Sequence, residues 1–184
     1  MKRITSAVLP LLAVLAGAFA QDAGQAAIDK ALLAAPANLK KDATVIKWKA
    51  GPEYTYDTLR QGTGDLVCYD KGGLAGQTPF YAECTMKGNL PRAAQNLKFE
   101  AITDRKERQA ALDKAEADGS RVKPVFGSVW YHAMNDPANP RYHMTIAVPG
   151  ATTKTLGLPE DGKQGGVWIM NAGTSTAHLM TPGE

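Results

Sequence analysis

Residues 26–35 place Ile28, Ala31, Leu32 and Ala35 at helical spacing and stop at Pro36, a pattern that predicts a short helix lying on the outside of a sheet. The period then changes to two. Residues 44–49 alternate Val45 against Ile46 and Trp48, as a strand does. Residues 54–60 read as a second strand, Gly62-Thr63-Gly64 as its turn and residues 66–69 as the returning arm, because glycine reaches the positive φ values of tight reversals. A glycine-rich loop over 71–78 leads into a further strand at 80–86. Residues 91–94 look like a helix start, whereas Leu97, Phe99 and Ala101 alternate, so this stretch predicts a short helix followed by a strand. Asp104 with Glu107 forms a capping box that opens a helix through Ala117, closed by Gly119.

The last third of the chain echoes itself. Gly127-Ser128-Val129-Trp130 precedes Met134-Asn135, and Gly165-Gly166-Val167-Trp168 precedes Met170-Asn171; each is followed by a Pro- or Gly-rich turn and a strand beginning His143-Met144 or His178-Leu179-Met180. Two similar hairpins account for the echo. Strands follow one another without a helix between each pair, so the expected fold is α+β: a single domain with a mainly antiparallel sheet, two or three helices and one disulfide.

One apolar run belongs to neither period. Lys2 and Arg3 precede a short apolar stretch over residues 8–16, and Ala18-Phe19-Ala20 supplies the small residues of a cleavage site, so residues 1–20 read as an export signal and residues 21–184 as the domain. The stretch is too short for a stable bilayer anchor, and no later segment is apolar enough to span. Periplasmic or secreted location is the expectation. Loss of Lys2 and Arg3 takes the formal charge from +3 to +1. Basic and acidic residues then alternate without clustering, which argues against nucleic acid or an anionic membrane surface as a partner.

An oxidising compartment changes the reading of Cys68 and Cys84, which become a disulfide by default; neither has a CxxC partner or an adjacent base. Neighbouring strands over 66–69 and 80–86 would bring them within bridging reach.

The three histidines each lie near a methionine: His132 with Met134, His143 with Met144, His178 with Met180. Imidazole and thioether together suit copper, above all Cu(I). The candidate metal ligands are therefore His143, Met144, Met170, His178 and Met180, against a structural reading in which Met134, Met170 and Met180 fill core gaps on strands and the histidines are partly buried and hydrogen-bonded. On a regular strand His143 and Met144 point to opposite faces, so only one of the two can join. The order of ligand types resembles that of periplasmic copper chaperones of the PCu(A)C type, with a His-Met pair, a later Met and a distant HxM. The spacing departs from theirs, since 25 residues separate Met144 from Met170 and 7 separate Met170 from His178, which makes the likeness one of chemistry.

Other chemistry is less well supported by the residues. The run Gly157–Lys163 satisfies the first positions of a phosphate-binding loop, but Gln164 stands where a hydroxyl should hold magnesium, so a surface loop is expected. Ser175 and Ser128 precede histidines without a nucleophile elbow; a secreted serine hydrolase using one of them is the rival class. Glu53, Asp57, Asp65, Asp70 and Glu83 read as turn and strand-edge acids. Trp48, Tyr54, Tyr56, Tyr69, Tyr131 and Tyr142 form an aromatic set with two readings, ordinary strand formers first and the lining of a ligand groove on an open sheet face second.

The signal, the two cysteines a short loop apart, and Gly165-Gly166-Val167-Trp168 with His178-Leu179-Met180 near the end resemble secreted bacterial proteins of an uncharacterised family. The likeness implies no catalytic residue. The resulting expectation is a non-catalytic exported binding protein, with copper as its sharpest form; an envelope-associated structural or interaction protein is a further alternative.

Overall fold

A computed structural model describes residues 24–181. The expected signal and its cleavage site lie outside the described residues. Helix α1 covers residues 24–31 and tightens into a 3-10 turn at Leu32–Ala34. Strands β1 (Thr44–Trp48), β2 (Tyr56–Arg60), β3 (Leu66–Asp70) and β4 (Tyr81–Met86) precede helices α2 (Leu90–Glu100) and α3 (Arg105–Ala117). Strands β5 (Val129–Met134) and β6 (Arg141–Ala147), the one-turn helix α4 (Thr153–Leu156), and strands β7 (Trp168–Met170) and β8 (His178–Met180) complete the described residues. All eight strands form one sheet in the order β2-β1-β3-β4-β5-β6-β8-β7. The pairing is antiparallel except between β1 and β3, which gives the expected α+β class. No helix among the described residues is long and apolar enough to cross a membrane.

The expected hairpin across Gly62–Gly64 does not form: β1 lies between β2 and β3. The connection passes so close to the start of β1 that a Cβ on Gly62 would sit 2.3 Å from the carbonyl oxygen of Asp42. Here glycine is required for proximity and not for reversal. Arg60 secures the crossing through hydrogen bonds to the carbonyls of Lys40 and Ala43 at 2.5 and 2.9 Å. The cysteine-bearing strands are neighbours as expected, with Cys68 directly opposite Cys84 on β3 and β4 and the two bonded.

Each sheet face has its own helix. Ala31, Leu32, Ala34 and Ala35 pack on Val45, Cys68, Ala82, Cys84 and Ala133, and the small side chains let the helix lie close to the strands. On the opposite face Ala93 and Leu97 of α2 cluster with Ile46, Val67, Tyr69 and Trp130. Burying such large apolar side chains stabilises by about 1.5–3 kcal/mol each. The strand expected over 97–101 is therefore helix through Glu100, because Ala93 and Leu97, four apart, share the buried face.

The echo in the sequence is two hairpins, β5–β6 and β7–β8, joined by β6–β8 pairing. It extends to the backbone, where Asn135 and Asn171 follow equivalent methionines at φ 79° and 55°. Asparagine tolerates this left-handed conformation better than most residues.

Candidate functional site

The stripe Arg92, Asn96 and Glu100, at successive intervals of four, sits beside the buried stripe of α2 and faces strands β4, β5 and β6. Alternation on the strands supplies the facing side chains. Tyr81 and Glu83 of β4, Trp130 and His132 of β5, and His143, Thr145 and Ala147 of β6 share this face, and Pro124, Thr176, Ala177 and His178 close one end. The result is a cavity of about 290 Å³ holding all three histidines.

One end of the cavity is a buried charge network. Lys71, which directly follows β3, puts its Nζ 3.1 Å from Glu83 and 3.4 Å from Glu100 and lies 4.2 Å above the Tyr81 ring. Lys71 and Glu83 are each only 4% exposed. Tyr69 donates its hydroxyl to Glu83, and His132 Nδ1 stands 3.3 Å from the same carboxylate and 3.2 Å from the Tyr81 hydroxyl. His143 lies across the β5–β6 ladder from His132, the rings stacked with centroids 5.8 Å apart.

The network fixes its own protonation. Burial alone would raise Glu83, but Lys71 and the hydrogen bonds from His132 and Tyr69 outweigh it and hold the carboxyl well below the usual carboxylate range. Burial likewise works to lower Lys71, and the charges of Glu83 and Glu100 overturn it, so the ammonium persists above its ordinary range. Tyr69 is pushed well up by burial and by the Glu83 charge, and Tyr81 is pushed up to about 12, chiefly by burial. Burial lowers His143, helped by His132, Arg141 and His178. With Glu83 an anion, His132 turns its Nδ1 toward that carboxylate as a donor, which leaves Nε2 as the ring nitrogen outside the network. His178 is set the same way, since its Nδ1 lies 2.7 Å from the carbonyl oxygen of Thr176. Both rings are oriented by their Nδ1 contacts, with Nε2 left to meet a polar group of a ligand.

At the other end, Arg92 is 3% exposed and donates to the Val122 carbonyl, to Ser175 Oγ at 3.1 Å and to Thr176 Oγ1 at 3.0 Å. Burial, together with the charge of Arg121, lowers it to about 10 despite the counteracting pull of Glu116.

Of the candidate metal ligands, His143 and His178 both line the cavity, on neighbouring strands. Register places His178 opposite Ala147, four residues along β6 from His143, about 13 Å at strand rise. Met144 lies on the opposite sheet face beside Tyr131 and Tyr142. Met170 is opposite His178 on β7, and Met180 follows His178 on the same face of β8. Among the described residues no group of three or more His, Cys, Asp or Glu side chains could hold a metal ion.

The serines are occupied elsewhere. Ser175 Oγ donates to Glu116, and Ser128 Oγ donates to the Val125 carbonyl at 2.6 Å and accepts from Asn89 at 2.9 Å. Residues 157–161 form a largely exposed loop, half-buried only at Leu158 and Pro159, that runs into a 3-10 turn at Gly162–Gln164. The aromatic set is divided: Trp48, Tyr54 and Tyr56 line a hollow beside the start of α2, Tyr69 is fully buried, and Tyr131 and Tyr142 lie on the other face.

Glu83 is the acid most misread from the sequence: it is no edge residue but sits in the interior of the sheet between β3 and β5. Lys71, Tyr81 and Arg92 are equally unmarked in the sequence. The period-two set Tyr81, Glu83, Thr85 was the one available signal, and it acquires meaning only once a helix covers that face. Comparison of the chain with family models, with curated proteins and with solved structures gave no match.

Proposed function

We propose that this chain is an exported bacterial binding protein, acting in the periplasm or outside the cell, that holds a small polar ligand in the cavity between α2 and strands β4–β6. The observation that carries this reading is the Lys71–Glu83–His132 network. Burying an ion pair gives little or no net stability compared with apolar packing, so its place in a cavity wall favours a role in recognition. The cavity is small and of mixed character, with Trp130 and Tyr81 as apolar surfaces and imidazole, amide and hydroxyl groups as polar partners. The test is a thermal-shift screen of purified mature protein against small polar metabolites, alongside Thr145→Trp, which fills the cavity. Stabilisation of the wild type that this variant abolishes is the expected result. Ligands that stabilise both proteins equally would overturn the reading.

One observation favours a second ligand class. Met170 faces His178 across β7–β8 and Met180 follows on the same face, a soft donor set for Cu(I) that omits His143 and Met144. Competition for Cu(I) against a chromogenic chelator, lost in His178→Ala and Met170→Ala, is its expected signature. No competition by the wild type would end it.

A further inference from the structure

The two ends of the cavity differ in how their charges are met. Lys71 has two carboxylates at ion-pair distance. Among the described residues Arg92 has only neutral acceptors, and the carboxylate of Glu116 is reached through the hydroxyls of Ser175 and Thr176. Its position is unfavourable in two further respects. It lies in the first turn of α2, where the helix dipole disfavours a cation, and the charge of Arg121 acts on it as well.

The guanidinium also retains donors. Its three hydrogen bonds leave N–H groups unused. The Nε atoms of Arg60 and Arg121 are sealed in protein without a partner, whereas those of Arg92 are not, and Arg92 lines the cavity. One turn along α2, Asn96 Oδ1 accepts from Arg121 Nη2 at 2.6 Å, which turns the amide NH2 of Asn96 to the free side. Asn96 and Thr145 line the same cavity and add neutral donors.

We infer that the ligand of this cavity carries an oxyanion, a carboxylate or phosphate group, that docks at Arg92 and Asn96. The inference rests on the cavity reading above and specifies its ligand class. An oxyanion supplies the directly bonded counter-charge that Glu116, one hydroxyl removed, does not, and a planar guanidinium can receive it through two parallel N–H bonds. The acidic end around Glu83 and Glu100 would repel a second anion, so the ligand carries its anion at one end only.

Calorimetric titration of the purified mature protein tests this with inorganic phosphate, monomethyl succinate, and the neutral probes succinamide and glycerol, at matched ionic strength. Either anion is expected to bind at least about tenfold more tightly than the neutral probes. The better of the two identifies the oxyanion. Asn96→Asp keeps the acceptor for Arg121, converts that bond into an ion pair and places a carboxylate at the docking point; it is expected to lose anion binding with a melting temperature at or above that of the wild type. Arg92→Lys, which keeps the charge and loses the fork, is expected to weaken it. Neutral probes binding as well as anions, in a manner abolished by Thr145→Trp, would overturn the anion while leaving the cavity reading intact. Anion binding unchanged in Asn96→Asp would do the same. If no probe gives heat that Thr145→Trp removes, both readings fall.

Discussion

Lys71 Nζ lies 3.1 Å from Glu83 Oε2, and the two side chains are buried together. Removing one member strands the other as an uncompensated charge, which typically costs about 3–5 kcal/mol. Lys71→Met is expected to destabilise by that amount in urea unfolding. Lys71→Met with Glu83→Leu is expected to recover part of it, because no ion is then buried. A cost below about 1 kcal/mol for the single variant would mean that water reaches the pair. The sign with pH follows from the lowered carboxyl: the contribution of Glu83 is complete above its ordinary value of 4.5 and is lost as pH falls through its lower folded value.

Cys68 and Cys84 close a loop with a sequence separation of 16. In the chain-entropy model such a loop contributes about 3 kcal/mol through the unfolded state. Reduction by dithiothreitol should lower the urea midpoint accordingly, and a paired Cys68→Ala, Cys84→Ala variant should match the reduced protein. A variant as stable as the oxidised wild type would refute the entropic assignment.

His143 should make the protein sensitive to mild acid. Its folded value is lowered from 6.5, so the unfolded chain binds more protons in the window between the two values. Stability therefore falls as pH drops from 6.5 through the folded value and loses no more from this group below it. His143→Gln should flatten the melting-temperature profile in that window. A slope unchanged by the substitution would assign the effect to another group.

The hydroxyls of Ser175 and Ser128 point to Glu116 and to the Val125 carbonyl, not to a histidine. Intact-mass analysis after treatment with a fluorophosphonate should show no adduct on either serine. An adduct on Ser175 that disappears in His178→Ala would restore the hydrolase reading.

Much of the fold is legible because local patterns express it. The period-two runs around Val45, Cys68 and Cys84 mark strands, and the disulfide follows from placing two of them side by side. The capping aspartate of α3 accepts from the amides of Lys106 and Glu107, as its position in the sequence implies. Local patterns failed where a long-range contact decided. Residues 97–101 alternate like a strand, yet the seat of Leu97 against Tyr69 and Trp130 keeps them helical through Glu100. Gly62 reads as a turn residue, and only the passage over Asp42 shows why a side chain is excluded.

By itself, then, the sequence determined the α+β class, the cysteine pairing and the twin hairpins, because period, turn chemistry and strand adjacency are properties of short segments. Tertiary structure alone decided the site. Alternation says which residues share a face with Glu83 but not whether a helix will cover that face. Placing α2 over it turns Lys71, Glu83, His132 and Arg92, from four separate segments, into the walls of one cavity. Register between β5 and β6 puts His132 beside His143, while register between β6 and β8 sets His178 opposite Ala147, about 13 Å of strand rise away.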